Sequence, residues 1–256
     1  LAGLTGTRTE QLFNDQQAVA DEGLGHAYAS EDLTLVQEIL GRQYHAVVGN
    51  PPYIVVKDAA LNAAYRRRFA SCHMKYSLGC PFTERFFELA VTGERFGAAG
   101  FVGLITANSF MKREFGTKLI EQVLPRVDLT HVLNTDGAYI PGHGTPTVIL
   151  FGQHRPPSDD LNSVRNCVRV VMGIEGEPGK PEDPALGLVW RALVEQLDQP
   201  GSESRFVSVV DLPRATLARH PWSLGGGGAS AAKEAIESTS TRRFGALTSA
   251  MGFFGI

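Results

Sequence analysis

The feature that most limits how this chain can fold is a pair of prolines set directly behind an apolar run. Tyr44-His45-Ala46-Val47-Val48 is ended by Gly49, and Asn50-Pro51-Pro52-Tyr53 follows at once. A short apolar run with such a stop reads as a buried parallel strand. Proline has a fixed φ and no backbone N–H. Two in succession cannot extend a central strand, so the chain must leave the sheet at Asn50.

Around this point, strands and helices alternate. Asp32 to Leu40 can cap and continue as a short helix that Gly41 stops, and Ala59 to Phe69 is a basic helical segment. Thr83 to Phe96 carries Phe86, Phe87, Leu89, Ala90 and Phe96 at helical spacing. Gly100 to Ala107 is a second buried strand. Ser109 is placed to cap a helix running to about Leu124, closed by Pro125. Leu129 to Leu133 and Thr145 to Phe151 are two more strands, joined by the Gly- and Pro-rich loop Asp136 to Gly144, and they are expected to pair antiparallel. This order predicts an α/β fold with an open, mostly parallel sheet ending in an antiparallel hairpin. Ligands of such sheets bind outside the carboxyl ends of the strands, where Asn50 to Tyr53 lies.

After Gly152 the character changes. His154 to Asp160 and Gly173 to Pro184 are linker-like. Val168 to Met172 and Phe206 to Val210 read as strands, and Leu186 to Leu197 and Ala231 to Ser238 as helices. Four consecutive glycines, Gly225 to Gly228, mark a hinge or a close backbone approach. The expected division is a catalytic half over residues 1–152, then a linker and an α+β extension over residues 153–256.

Composition excludes several classes. Hydrophobic residues at 43% and charged residues at 20% argue against wholesale disorder. No apolar run is long enough for a membrane helix, and no basic start leads into an apolar leader. Three cysteines, Cys72, Cys80 and Cys167, are too few for a disulfide framework and fit a reducing cytoplasm. Cys72, His73 and Cys80 lack the paired spacing of a metal site, so no metal is expected. The net charge of −3 is unevenly spread. Residues 57–126 hold 11 basic and 6 acidic side chains, between flanks in which acids outnumber bases. Such a middle third suits a phosphate-facing surface or merely a solvated helix face. Lys112 and Arg113, just past Ser109, are the better-placed phosphate candidates, and Arg66-Arg67-Arg68 a second group.

Asn50-Pro51-Pro52-Tyr53 after a strand resembles the catalytic motif of amino methyltransferases that use S-adenosylmethionine. The chemistry explains those residue types. An exocyclic aromatic amine is a poor nucleophile because its lone pair is delocalised into the ring. A side-chain amide oxygen and a backbone carbonyl can each accept one amine hydrogen, which draws the nitrogen toward tetrahedral geometry. Asn50 would supply the first and Pro51 the second, with the prolines keeping that carbonyl rigid. Tyr53 would stack on a base taken out of the duplex.

The likeness extends along the chain. Phe101 to Met111 is similar to the strand-to-helix element that follows this motif in DNA adenine-N6 methyltransferases, and Tyr139 to Phe151 looks like their closing hairpin. With Val189-Trp190 and His220 to Gly226, the whole most resembles the adenine-specific methyltransferases of BREX phage-defence systems, the PglX family, in the phage-growth-limitation branch. This implies a Rossmann-like class I methyltransferase domain leading to a target-recognition region, S-adenosylmethionine as cofactor, double-stranded DNA with a flipped adenine as substrate, and other phage-defence proteins as partners. The resemblance assigns Asn50, Pro51, Pro52 and Tyr53 to catalysis. Many relatives carry an aromatic in the closing hairpin as the second face of a base sandwich. That position here is Ile140, so Tyr139 or His143 takes over or Ile140 packs on the base without π-stacking. Asp32 lies near where relatives contact the cofactor adenine, and equally reads as a helix N-cap.

A glycine-rich cofactor loop after a first strand has no counterpart, because Gly3 to Gly6 is not preceded by a strand. The chain is therefore expected to be an internal fragment whose cofactor-binding half is largely missing. Protein glutamine and RNA methyltransferases that share the Asn-Pro-Pro-Tyr motif, and an inactive DNA-binding remnant, are the competing readings.

Overall fold

A computed structural model of the chain describes residues 33–226 other than 96, 143 and 159–165, together with 235, 236 and 239. Six strands build one sheet: β1 (Ala46–Gly49), β2 (Phe101–Ala107), β3 (Asp128–Asn134), β4 (Thr147–Gln153), β5 (Cys167–Gly173) and β6 (Val207–Pro213). Their spatial order is β1-β2-β4-β3-β5-β6. β1 pairs parallel with β2, and β3 with β5. β4 is antiparallel to both β2 and β3, and β6 to β5. Four strands therefore run one way and two the other, which is the mostly parallel sheet with a closing hairpin that the strand and helix order predicts. β5 and β6 continue this sheet beyond the hairpin on the β3 side.

Five helices are described: α1 (Leu33–Gly41), α2 (Ala59–Arg68), α3 (Gly79–Leu89), α4 (Leu188–Gln196) and the single turn α5 (Arg214–Leu217). α2 starts at Asp58, whose carboxylate accepts the Leu61 N–H at 2.7 Å and satisfies one of the free amides of the first turn. The strands alternate between two cores. Val132, Val148, Leu150, Val168, Val170 and Met172 face one core with Phe87 of α3 and the segment between β2 and β3. Leu133, Val171, Val207 and Val209 face the other with Val189, Ala192 and Leu193 of α4. The second face is covered by α4 only toward β5 and β6. Toward β1 none of the described helices covers it, and Val48 and Phe101 stand 80% and 60% exposed.

That bareness corrects one expectation. β1 is parallel but not buried, because it is an edge strand whose only ladder among the described residues is to β2. Three boundaries also differ. The helix expected over Thr83 to Phe96 is Gly79–Leu89. Thr83 lies inside it, its hydroxyl donating to the Gly79 carbonyl at 2.6 Å. Past Leu89 the chain turns into the sheet, as Tyr44 N–H donates to the Leu89 carbonyl and Val91 N–H to that of Tyr44. The helix expected from Ser109 to Leu124 is instead a chain of short turns: 3-10 at Asn108–Met111 and Glu114–Gly116, π at Leu119–Val123, and 3-10 at Leu124–Arg126. Ala107 occupies the cap position and Ser109 caps nothing. The Met111 carbonyl is taken by the N–H of Trp222 at 2.8 Å, so it is spent on a distant segment rather than on the next helical turn. β4 begins at Thr147, because Pro146 has no N–H to give the ladder. Of the helix expected over Ala231 to Ser238, only Ala235 and Ile236 are among the described residues.

The downstream chain is pinned to the sheet by charge. Asp128, at the start of β3, is 3% exposed and accepts from Arg155 Nε at 2.9 Å and from the Arg214 guanidinium of α5. Removing the carboxylate leaves two largely buried cations facing a neutral amide. Asp128→Asn is expected to cost about 3–5 kcal/mol, read as a lower midpoint in urea unfolding with an unchanged slope.

Candidate active site

The acceptor motif sits where β1 ends, and its position is set one residue earlier. A Cβ on Gly49 would come within 2.7 Å of the tip of the Phe86 ring of α3, so any other residue there requires that ring to shift. Asn50 and Pro51 each precede a proline and are thereby held to extended backbone. Pro51 is buried, Asn50 and Pro52 are exposed and Tyr53 is half-buried. The Tyr53 hydroxyl donates to Asn50 Oδ1 at 2.6 Å, and desolvation raises the phenol's pKa, so the phenol stays protonated and able to donate. This bond fixes the amide plane of Asn50 while leaving the second lone pair of Oδ1 open. Beyond the motif, Ile54 accepts the Leu78 N–H at 2.8 Å and Val55 bridges Ser77, which ties the exit path to the start of α3.

The β3–β4 hairpin loop emerges at the same sheet edge. Its base is closed by Thr135 and Thr147, whose hydroxyls meet at 2.5 Å and whose backbones bond at 3.1 Å. The Pro146 carbonyl accepts the Asn108 N–H at 3.0 Å, so the loop returns beside the end of β2, the neighbour of β1. Tyr139 and Ile140 are both half-buried, and the Tyr139 carbonyl accepts the Trp190 indole N–H at 3.2 Å. Gly137 has φ +93, and a Cβ there would lie 2.8 Å from Gly176 Cα, so two backbones cross at this point. His143 and Asp32, two of the expected site residues, lie outside the described residues.

Lys112 and Arg113 are both exposed and follow the 3-10 turn at the end of β2. Lys112 lines a cavity of about 500 Å³ with Asn108, Asn134, Asp136, Glu175 and Leu224. Arg66 and Arg68 are otherwise engaged: Arg66 holds Asn62 Oδ1 at 2.7 Å and stacks over Tyr76, and Arg68 grips Glu88. Cys72 and Cys80 are buried free thiols, and burial pushes Cys72 up to about 12.

The described residues line cavities of about 500, 410, 220 and 130 Å³. None of these four cavities is lined by Asn50, Pro51, Pro52 or Tyr53. Sequence reasoning names the Asn50-Pro51-Pro52-Tyr53 motif and the stop at Gly49, but gives no structural part to Thr135, Thr147, Trp190 or the Gly49–Phe86 contact. Of these, only Gly49 carries a local signal, as the stop before Asn50.

The profile of the Eco57I restriction-modification methylase family matches residues 5–139, more than half of the chain. The adenine-specific methyltransferase PglX of Streptomyces coelicolor (strain ATCC BAA-471 / A3(2) / M145) is 49% identical over 98% of this chain. The type II methyltransferase M.XhoI of Xanthomonas vasicola is 31% identical over 62% of this chain and 29% of its own. This chain spans 21% of the Streptomyces protein's length. The solved type IIG restriction endonuclease BpuSI gives a TM-score of 0.46 at 14% identity, covering 76% of this chain and 22% of that one, too low to add to what the topology itself establishes. A profile match over residues 5–139, which takes in the Asn-Pro-Pro-Tyr motif at the end of a parallel strand and runs to the start of the hairpin loop, together with 49% identity to the Streptomyces protein over 98% of this chain, places this chain in the Eco57I restriction-modification methylase family.

Proposed function

We propose that this chain carries the amine-activating half of a DNA adenine-N6 methyltransferase that takes its methyl group from S-adenosylmethionine in a phage-defence modification system. The observation that carries this is the Asn50 amide, set at the carboxyl end of β1 and oriented by the Tyr53 hydroxyl. The printed name of the Streptomyces relative, an adenine-specific methyltransferase, supports the choice of adenine.

The chain's own part in the reaction is to bind and orient. Asn50 Oδ1 and the Pro51 carbonyl each accept one hydrogen of the adenine amine. That withdraws the lone pair from the ring and leaves it directed out of the base plane. Tyr53 stacks on one face of a base flipped from the duplex. Tyr139 is the candidate for the other face, with Ile140 and His143 as the alternatives at the same hairpin. Lys112 and Arg113 meet phosphates of double-stranded DNA, and Asp32 meets the cofactor. Residues 1–152 form the catalytic half. Residues 153–256 lead toward target recognition, with β5 and β6 bracing the sheet. Partners from the same defence system and a cytoplasmic location follow from this reading. No helix among the described residues is long and apolar enough to cross a membrane.

Asn50→Ala in the intact protein is expected to slow methylation about a hundred- to a thousandfold, with S-adenosylmethionine affinity by calorimetry changed far less. Equal losses of both would place Asn50 in the cofactor site instead. Gly49→Ala is expected to displace the motif, since over-packing of this kind costs about 1–3 kcal/mol. Phe86→Leu in the same protein should restore part of the rate by making room. A Gly49→Ala protein with full activity would mean that Phe86 yields without moving Asn50.

A further inference from the structure

The hairpin that carries Tyr139 and Ile140 is not held by its own strands alone. A closed ring of contacts ties it to a segment far downstream. The Gly137 carbonyl accepts the Glu177 N–H at 2.8 Å, across the point where Gly137 and Gly176 cross. The two Glu177 carboxylate oxygens accept the Leu188 and Val189 amides at 3.0 Å each, capping the first turn of α4. From the same turn, the Trp190 indole N–H returns to the Tyr139 carbonyl at 3.2 Å. Ala138 and Trp190 pack into the core that holds Val189 and Leu193. The ring runs from hairpin to Glu177, to α4, to Trp190, and back to the hairpin.

We infer that Trp190 is a positioning residue for capture of the target adenine, with Glu177 as its support. It fixes the backbone at Tyr139, and that backbone decides which way neighbouring side chains 139 and 140 are presented. A tryptophan needs one donor contact when partly buried, and here it is spent on a single carbonyl of the base-facing hairpin. This rests on the proposed base capture at Tyr139 and Ile140. It goes beyond that reading by making α4, a helix outside the catalytic half, part of the substrate site. A base held between hairpin and motif then feels any movement of α4.

The test uses the intact protein with two DNAs of one sequence, carrying 2-aminopurine at the target position for fluorescence and adenine there for kinetics. Trp190→Phe keeps a ring in the core and removes the N–H. Glu177→Ala breaks the same ring of contacts at its other side. Each is expected to speed hydrogen exchange at amides 137–140 while leaving the β3 amides unchanged. Each should also lower the 2-aminopurine signal and raise KM for DNA about tenfold, with kcat at saturating DNA changed less than threefold. Unchanged exchange at amides 137–140 in both variants would overturn the anchor, whatever the fluorescence does. Faster exchange with unchanged fluorescence and KM would overturn the positioning role, if Tyr139→Ala or Ile140→Ala lowers the signal and raises KM. If neither of those hairpin variants moves the signal, base capture at this hairpin fails, and the role of Trp190 falls with it.

Discussion

The arrangement depends on β4 being paired on both sides. It runs antiparallel between β2 and β3, so the loop that precedes it must return at the carboxyl edge of those strands. Asn50 leaves β1 at that same edge, one strand further over. The ladder thus brings together two segments about ninety residues apart in sequence, and it does so through backbone bonds that do not depend on side-chain identity. Thr147 and Pro146 then fasten the returning loop, the first to Thr135 and the second to Asn108.

The downstream chain is structurally part of this unit. β5 lies parallel against β3, Trp222 packs edge-on to Phe110, and the Leu224 carbonyl accepts the Asn134 side-chain amide at 3.3 Å. Arg214 reaches back to Asp128 from the other end of the sheet. The hairpin end of the sheet is therefore braced by residues that follow it in sequence, while among the described residues the β1 side stays bare, with Val48 and Phe101 in the open. The acceptor motif belongs to the edge strand of that bare side, and its order comes from the helix behind it, through Phe86 and Gly49.

What was legible in the sequence follows from the kind of signal each element leaves. All six strands are short apolar runs with turn residues at their ends, and each was found to within a few residues. The chain's exit from the sheet at Asn50 was legible because two prolines carry a backbone constraint that local sequence shows directly. The segment from Asn108 to Arg126 was misread because its apolar spacing fits a helix, whereas its backbone is broken up where the Met111 carbonyl is claimed by Trp222. β1 was read as buried because burial depends on what lies beyond the strand, which a local pattern does not carry. The ring through Glu177 and Trp190 left no trace either, since its contacts join residues some fifty apart.

The most direct measurement is the chemical identity of the product. DNA from cells making the intact protein, and from cells lacking it, would be digested to nucleosides and resolved by mass spectrometry. An amine-activating Asn50-Pro51 pair facing a flipped adenine predicts N6-methyladenine that appears with the protein and is absent without it. Adenines unmodified in both samples, or methylated cytosine appearing with the protein while the adenines stay unmodified, would contradict it.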